Sequence, residues 1–117
     1  MAKLLIVEDE KNLRILYKNE FIEEGYEVLL AAEGKEAIKI AEKESPDLII
    51  MDIRMPQMDG IDVMKKILEK NKDIPIVINS AYSSYMDNFM SWAAKAYVIK
   101  SSDLSELKSK VREYIGE

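Results

Sequence analysis

Three carboxylates follow two apolar runs of this chain, and together they could form a metal site. Asp52 comes directly after the run Leu48–Met51, and Glu8 and Asp9 come directly after Leu4–Val7. If both runs are strands of one parallel sheet, their carboxyl ends meet at one edge, where open α/β sheets bind ligands. Three carboxylates at one edge repel each other unless a cation lies between them. We therefore expect a divalent-metal site built around Asp52.

A hydroxyl and an ammonium group are predicted to reach the same edge. Asn79, Ser80 and Ala81 follow the fourth apolar run, and Lys100 follows the fifth. A cluster of carboxylates with no histidine or cysteine beside it suits Mg²⁺ or Mn²⁺, because these ions take oxygen ligands. A metal, a lysine and a hydroxyl together can bind and neutralise a phosphoryl group. In such a site Asp52 would be the nucleophile that forms an acyl phosphate, assisted by Ser80 and Lys100.

The composition excludes several other kinds of chemistry. The chain has 117 residues, a formal net charge of −5, no cysteine and no histidine. Disulfides, thiolate sites and any serine–histidine relay are therefore excluded within the chain, and a histidine in the mechanism must come from a partner. The negative charge argues against nucleic-acid binding. The absence of a signal-peptide segment and of a membrane-length apolar stretch predicts a cytoplasmic protein that does not enter a membrane.

Strand-like and helix-like segments alternate along the chain and must position these side chains. Short apolar runs indicate strands, and apolar residues at helical spacing indicate helices. The predicted strands are Lys3–Val7, Tyr26–Ala31, Asp47–Met51, Pro75–Ile78 and Ala96–Ile99. The predicted helices are Asn12–Glu24, Glu36–Glu44, Gly60–Asn71, Ser84–Ala94 and Leu104–Ile115, the last with Asp103 as its N-cap.

Five β–α units in series predict an α/β fold with a five-stranded parallel sheet. Right-handed crossovers place helices on both faces of such a sheet, as in doubly wound (βα)5, flavodoxin-like folds. Three of the strands are continuous apolar runs, which is typical of strands covered on both sides. The chain shows no repeat and no linker, so residues 1–117 are predicted to form a single domain without an output domain.

The motifs of the chain, taken in order, resemble the receiver domain of two-component response regulators. They are Leu5–Glu10, Leu48–Asp52, Met55–Pro56, Met58–Gly60, Ser80–Ala81, and Tyr97 three residues before Lys100. The likeness covers essentially the whole chain and implies a flavodoxin-like receiver fold. It also implies a signalling protein that accepts a phosphoryl group on Asp52. The donor would be a phosphohistidine of a sensor histidine kinase or a histidine phosphotransferase.

The resemblance further implies which residues hold the metal. Asp9 and Asp52 would ligate Mg²⁺ directly. The backbone carbonyl of Arg54 would complete the protein ligands, while Glu8 would act through a water molecule.

The phosphoryl group is expected to have contacts of its own. The resemblance implies that Lys100, Ser80 and the backbone N–H of Ala81 contact its oxygens. Tyr97 would be the aromatic switch that turns inward when Ser80 moves.

The resemblance also implies which residues border the path of a water molecule to phosphorylated Asp52. In receivers they are the residues two after the aspartate and two after the hydroxyl residue, and both are large here. Arg54 lies two residues after Asp52, and Tyr82 lies two residues after Ser80. Neither side chain carries a carboxylate or amide suited to positioning a water for attack. We expect them to shield the acyl phosphate, so that autodephosphorylation is slow. The alternative is that both side chains turn into solvent.

The first helix and the loops around Asp52 are the predicted docking surface for the histidine-bearing partner. Leu13, Ile15 and Lys18 begin or line this helix near the acids, and Ile15 lies off its predicted core stripe of Leu13, Leu16, Tyr17 and Phe21. An exposed isoleucine is a plausible anchor, although single exposed apolar residues are common. The chain itself is expected to be a monomer.

Some positions depart from the receiver pattern. Ser101 follows Lys100 where receivers usually have proline, so the loop that holds the lysine can differ in shape. Ala93 stands where a glycine is usual, and the stretch between Ser80 and Lys100 is shorter than is common. The resemblance therefore implies less about the structure of the fourth helix than about the rest of the chain.

Two other functions compete with a phosphorylated receiver. A dehalogenase-type aspartyl-phosphate phosphatase needs an aspartate two residues after the nucleophile, and Arg54 occupies that place. A pseudo-receiver that only binds partners is the second alternative.

Simpler roles are also open for the individual residues. Glu8 and Asp9 could cap the first helix, and Lys100 could be a surface lysine. Ser80 could be a turn hydroxyl, and Tyr97 an ordinary core aromatic.

Overall fold

The computed structural model describes residues 1–54, 59–82 and 93–116. Within these ranges the strands are β1 Lys3–Val7, β2 Glu27–Ala31, β3 Leu48–Met51, β4 Ile76–Ser80 and β5 Ala96–Ile99. The helices of the same ranges are α1 Lys11–Glu23, α2 Gly34–Glu44, α3 Gly60–Lys70 and α4 Ser105–Ile115. None of these helices has the length and apolar character that a membrane crossing requires.

All five strands are parallel and lie in the order β2-β1-β3-β4-β5. The predicted five-stranded, doubly wound sheet is therefore confirmed. The order reverses at β1, because the chain goes from β1 outward to β2 and then returns to β3 on the other side. The crevice between the carboxyl ends of β1 and β3 is the topological switch point, where doubly wound sheets bind ligands. Val7 lies beside Met51 at that crevice.

Alternating side chains of the strands build two separate cores. On one face, Leu5 and Val7 of β1 pack with the apolar residues of α2 and α3. On the other face, Leu4 and Ile6 pack with those of α1 and α4. Because both faces are covered, the strands can be apolar at every position, which explains the continuous runs in the sequence.

Helix α1 buries a narrower stripe than the sequence predicted. Tyr17 and Phe21 are buried and Leu13 is half-buried, but Leu16 is 42% exposed. The placement of Leu16 in the core stripe was therefore wrong. The buried positions repeat every four residues, and Leu16 lies about 100° around the helix from Tyr17. Its side chain points away from the sheet, next to the exposed Ile15.

Several boundaries differ from the prediction by one or two residues, and two of these differences concern the site or a helix cap. Strand β4 runs two residues beyond Ile78, because the backbones of Asn79 and Ser80 still pair with β5. Helix α4 begins after Leu104, and Asp103 does not occupy the cap position. The carboxylate of Asp103 nevertheless accepts a hydrogen bond from the Ser105 N–H at 2.9 Å, so it still satisfies one free donor of the first turn.

Parts of two sequence predictions lie outside the described residues. The predicted helix Ser84–Ala94 falls there except for its last two positions, and these two, Ala93 and Ala94, are not helical. Motif residues 55–58 also lie outside the described ranges.

Gly60 allows the loop after Asp52 to return closely to its own start. A Cβ atom at Gly60 would lie 2.8 Å from both the Cα and the carbonyl oxygen of Ile53, which is too close for any larger residue. The Gly60 N–H donates to that carbonyl at 3.1 Å. Asp59 then caps α3, accepting a hydrogen bond from the Ile61 N–H at 2.8 Å. The glycine thus fixes the backbone directly after Asp52.

Candidate functional site

The three predicted acids meet at the switch point between β1 and β3. One carboxylate oxygen from each of Glu8, Asp9 and Asp52 lies within 4.8 Å of the others. Backbone pairing between β1 and β3 continues past the end of β3, because the Asp52 N–H donates to the Val7 carbonyl oxygen at 3.1 Å. The acids differ greatly in depth, with Glu8 2% exposed, Asp52 7% exposed and Asp9 exposed. The cluster therefore has a buried side and a side that faces solvent.

Lys100 crosses from β5 to the buried side of this cluster. Its Nζ atom lies 2.7 Å from Asp52 Oδ2 and 2.8 Å from Glu8 Oε1. One ammonium thus compensates two buried carboxylates, which would otherwise be very costly to keep charged. Lys100 reaches this position with serine, not proline, after it. The Lys100 N–H donates to Ser80 O at 2.8 Å, and the Ser101 hydroxyl accepts from the Asp103 N–H at 3.1 Å, so the loop is held by hydrogen bonds.

The pKa values of these groups are shifted by burial and by each other. Burial raises the pKa of the Glu8 carboxyl above its ordinary range, although the hydrogen bonds from Lys100 and from the Glu10 N–H pull it down. Burial alone lowers the pKa of the Lys100 ammonium. Its hydrogen bonds to Asp52 and Glu8 outweigh that effect, so the net pKa lies above the ordinary 10.5. Lys100 is therefore a permanent cation at neutral pH.

Backbone contacts fix the loops that carry the acids. The Arg54 N–H donates to Asp52 Oδ1 at 3.2 Å, and the Glu10 N–H donates to Glu8 Oε2 at 3.1 Å. Glu8 thus contributes to the start of α1, but its other oxygen is directed to Lys100, so capping is only part of its role. The guanidinium of Arg14 donates to the carbonyls of Glu8 (2.9 Å) and Asp9 (3.1 Å). The sequence reasoning missed Arg14, whose only signal was a basic side chain one turn into α1.

The phosphoryl-contact residues of the prediction lie at the end of the neighbouring strand. Ser80 is fully buried, and its hydroxyl accepts a hydrogen bond from the Tyr82 N–H at 3.2 Å. Ala81 follows at an exposed position. Tyr97 is half-buried against the α2/α3 core, and its hydroxyl donates to the backbone carbonyl of Tyr82. The predicted switch pair Ser80 and Tyr97 is therefore joined through one residue, Tyr82.

The two predicted shielding side chains touch each other. The guanidinium carbon of Arg54 lies 4.7 Å from the centre of the Tyr82 ring. Tyr82 is 46% exposed and Arg54 is exposed, so the contact lies at the surface. Cation–π contacts at exposed sites are worth about 0.5–1 kcal/mol, which is enough to favour this arrangement over free rotation.

The predicted docking residues on α1 do not all face solvent. Ile15 is 44% exposed and Lys18 is exposed, whereas Leu13 is half-buried and packs against the α1/α4 core. Leu16, which the sequence had assigned to the core, extends the apolar surface beside Ile15. The exposed apolar surface of α1 near the acids is therefore Ile15 with Leu16.

The donor set of the acid cluster fits a hard divalent cation. Its ligand atoms are carboxylate oxygens, and the chain has no histidine or cysteine that could favour a softer metal. Lys100 balances only part of the charge of the three acids, and Asp9 leaves the cluster open to solvent. A divalent ion would neutralise the remainder.

A family model of the response regulator receiver domain matches residues 4–112. The chain therefore belongs to the receiver domain family of two-component systems, as its motifs predicted. Sporulation initiation phosphotransferase F of Bacillus subtilis is 34% identical over 115 residues, which are 97% of this chain and 93% of that protein. The chain spans about half the length of other curated relatives. The probable transcriptional regulator ycf27 of Porphyridium aerugineum, for example, is 32% identical, and 48% of it is covered.

Solved structures agree with this assignment. The response regulator protein TrrA from Thermotoga maritima, crystallised in complex with Mg²⁺–BeF, superposes with a TM-score of 0.93 and 45% identity. The match covers 97% of this chain and 99% of that one. TrrA in complex with the histidine kinase ThkA superposes with a TM-score of 0.89 and 45% identity, and covers 97% of this chain and 98% of that one.

The double ion pair of Lys100 leads to a prediction about stability. Lys100→Met leaves Glu8 and Asp52 buried without a cation, and breaking such a pair costs about 3–5 kcal/mol of unfolding free energy. The loss should shrink as the pH falls from 7 towards 5. Without Lys100 the pKa of the Glu8 carboxyl rises further, so the folded state binds a proton that the unfolded state does not, and acid stabilises it. Urea unfolding at several pH values measures both effects.

A matched control is Lys95→Met, which changes an exposed lysine just before β5 and should cost no more than about 0.5 kcal/mol. Millimolar Mg²⁺ should raise the stability of Lys100→Met more than that of the wild type, because the unpaired acids attract the cation. Equal stability of the two lysine variants would contradict the structural role of the ion pairs.

Proposed function

We propose that this receiver domain accepts a phosphoryl group on Asp52 from a phosphohistidine of a histidine kinase or phosphotransferase. The observation that carries the proposal is the Lys100 ammonium, which lies within 2.8 Å of two buried acids beside the exposed Asp9. A pseudo-receiver is not supported, because the acid cluster and its lysine are intact. The negative charge of the chain also favours a protein partner over nucleic acid.

In the proposed transfer, a carboxylate oxygen of Asp52 attacks the phosphorus as the P–N bond of the phosphohistidine breaks, and the electron pair leaves with the imidazole. Mg²⁺, or Mn²⁺ of the same ligand preference, would be held by Asp9, Asp52 and the Arg54 carbonyl, with Glu8 behind them, and would supply charge neutralisation at the phosphoryl oxygens. Lys100 neutralises charge that develops on a phosphoryl oxygen. Its raised pKa ensures that it does so as a cation.

The residues on the buried side of the site are proposed to orient the phosphoryl group. The proposed donors to the phosphoryl oxygens are the Ser80 hydroxyl and the Ala81 N–H, at the end of β4. We propose that the Ser80 side chain turns toward the phosphoryl group when it donates there, which moves its hydroxyl oxygen away from the Tyr82 N–H. Because Tyr97 bonds to the Tyr82 carbonyl, the same movement would reach Tyr97. We propose this link as the switch that changes partner binding.

The partner of the site is proposed to be a histidine-bearing protein that docks on α1. In support, the similar protein TrrA was crystallised with a histidine kinase. Ile15, Leu16 and Lys18 face outward from the helix beside the acids. The role assumes a cytoplasmic protein, since histidine kinases draw phosphoryl groups from ATP. We also propose that the domain is a monomer.

Slow autodephosphorylation is part of the proposal. Hydrolysis requires a water in line with the phosphorus, on the side from which the imidazole leaves. The stacked side chains of Arg54 and Tyr82 are proposed to cover this path, because they follow Asp52 and Ser80 by two residues each. Arg54 can also pair with a phosphoryl oxygen. Both effects lengthen the life of the acyl phosphate.

The phosphorylation site can be tested directly. Asp52→Asn should abolish labelling by acetyl phosphate with Mg²⁺, because an amide oxygen is a far weaker nucleophile and leaves no acyl phosphate. Intact-mass spectrometry measures the labelled fraction. Asp62→Asn, at an exposed position of α3, is the matched control and should label like the wild type. Full labelling of Asp52→Asn would refute the assignment.

The docking surface can be separated from the chemistry. Ile15→Ala should slow transfer from a histidine kinase by about fivefold or more, as expected for an apolar anchor of an interface. Labelling by acetyl phosphate should not change, because this small donor needs no docking. The control is Ile22→Ala, which is 48% exposed two turns further along α1 and away from the acids. An equal loss with both donors would place the defect in the fold or the site instead.

The shielding idea predicts the lifetime of the phosphorylated protein. The double variant Arg54→Asn and Tyr82→Glu opens the path and adds groups that can orient water, so its acyl phosphate should decay at least about tenfold faster. Decay is followed by mass spectrometry after the donor is removed. Lys72→Asn, an exposed change far from the site, serves as the control. A wild-type half-life of seconds, or no acceleration in the double variant, would rule out shielding.

A further inference from the structure

Arg14 of α1 reaches back to the loop of residues 8–10, which joins β1 to α1. A single nitrogen of its guanidinium, Nη1, donates to the Glu8 carbonyl at 2.9 Å and to the Asp9 carbonyl at 3.1 Å. The Arg14 N–H donates to the Glu10 carbonyl at 2.9 Å and so closes the first turn of the helix. Arg14 therefore binds all three carbonyls of the loop.

Asp9 depends on this contact more than the other two acids do. The carboxylates of Glu8 and Asp52 are each held by Lys100 and by one backbone N–H. In the described part of the chain, no donor and no cation contacts the exposed carboxylate of Asp9. The direction of that carboxylate is therefore set by its backbone, and Arg14 holds the backbone.

The contact leaves the oxygens of Asp9 available to a metal ion. Guanidinium groups pair readily with carboxylates, often through two hydrogen bonds. None of the ion pairs within the described ranges includes Arg14, although it bonds to the carbonyl of Asp9 itself. Because Arg14 binds the main chain, it supports Asp9 without competing with a cation for the carboxylate.

The charge of Arg14 acts on a metal ion in the opposite sense. A fixed cation near the acid cluster repels a second cation, but Arg14 is only half-buried and water screens the repulsion. Partly exposed charge pairs change an equilibrium constant by about fivefold or less. Loss of a group that orients a metal ligand weakens metal binding by about tenfold to a hundredfold. The orienting effect should therefore outweigh the repulsion.

We propose that Arg14 is a positioning residue of the metal site, which holds the loop of residues 8–10 so that Asp9 can ligate a divalent cation together with Asp52. This role rests on the metal site of the proposed function and adds a residue of α1 to that site. Arg14 directly precedes the exposed Ile15. The helix that presents the docking surface would thus also hold a metal ligand in place.

The affinity for Mg²⁺ tests the proposal, because positioning and repulsion predict opposite changes. Arg14→Met keeps an unbranched side chain and removes every donor, so the Kd for Mg²⁺ should rise by about tenfold or more. Arg14→Lys keeps the charge, but its side chain is one bond shorter and lacks the planar fork. Its Kd should lie between those of the wild type and Arg14→Met. Isothermal titration calorimetry measures all three.

Lys11→Met is the matched control for the loss of charge. It removes an exposed cation from the first position of the same helix, and its Kd for Mg²⁺ should stay within about twofold of the wild type. Binding by Arg14→Met that equals or exceeds that of the wild type would overturn the proposal. If Arg14→Met does not fold, Arg14→Lys carries the test, and wild-type affinity in that variant would overturn it.

The Mg²⁺ dependence of labelling by acetyl phosphate separates positioning from a general loss of stability. In Arg14→Met the Mg²⁺ concentration at half-maximal rate should rise by about tenfold. The rate at saturating Mg²⁺ should return to within about twofold of the wild type, because only binding of the ion has been weakened. An unchanged Mg²⁺ dependence together with a lower melting temperature would overturn the proposal, since Arg14 would then only stabilise the fold.

Hydrogen exchange without metal gives a readout that is independent of phosphorylation. The Glu10 N–H, which donates to Glu8 Oε2 at 3.1 Å, belongs to the held loop and should exchange faster in Arg14→Met than in Lys11→Met. If the wild type binds Mg²⁺ but is not labelled, phosphorylation of Asp52 fails, and the order of the Mg²⁺ affinities still decides the role of Arg14. A wild type that binds no Mg²⁺ at millimolar concentration would overturn the positioning role together with the metal site.

Discussion

The rest of the site depends on one ammonium group held between two buried carboxylates. Glu8 and Asp52 come from neighbouring strands and would repel each other at 2% and 7% exposure. Lys100 compensates both, at 2.8 Å and 2.7 Å. The strand order and register provide this arrangement: β1 and β3 end at the same level of one parallel sheet, and β5 runs two residues further before Lys100. The fold is therefore the means by which three charges, far apart in the sequence, meet in a place of low polarity.

The parts of this arrangement that follow from apolar patterning were predictable. Strands covered on both faces are continuous apolar runs, and polar residues that follow such runs must lie at the edge of the sheet. The sequence pattern alone therefore predicts that Asp52, Lys100 and Ser80 lie at one edge of the sheet. It did not separate Glu8 from Asp9, although alternation would have done so, since Glu8 continues the buried row of Leu4 and Ile6.

The wrong predictions concern positions where the apolar pattern of the sequence does not determine the local geometry. Leu16 has helical spacing to its apolar neighbours, but the sheet covers only a narrow stripe of α1, and Leu16 lies at its margin. Strand β4 was predicted too short, because backbone pairing continued beyond the apolar residues.

Tyr82 contacts residues with three different predicted roles: phosphoryl contact, switching and shielding. Its N–H donates to the Ser80 hydroxyl, its carbonyl accepts from Tyr97, and its ring carries the guanidinium of Arg54. Two of these contacts use the backbone, so they persist whatever side chain stands at this position. Only the stack with Arg54 depends on the ring itself. Replacing the Tyr82 ring should therefore remove its contact with Arg54, while the backbone hydrogen bonds that connect Ser80 with Tyr97 stay in place. In the proposed mechanism, the lifetime of the acyl phosphate and the transmission of the signal would thus be set by different atoms of Tyr82, and each could be varied without the other.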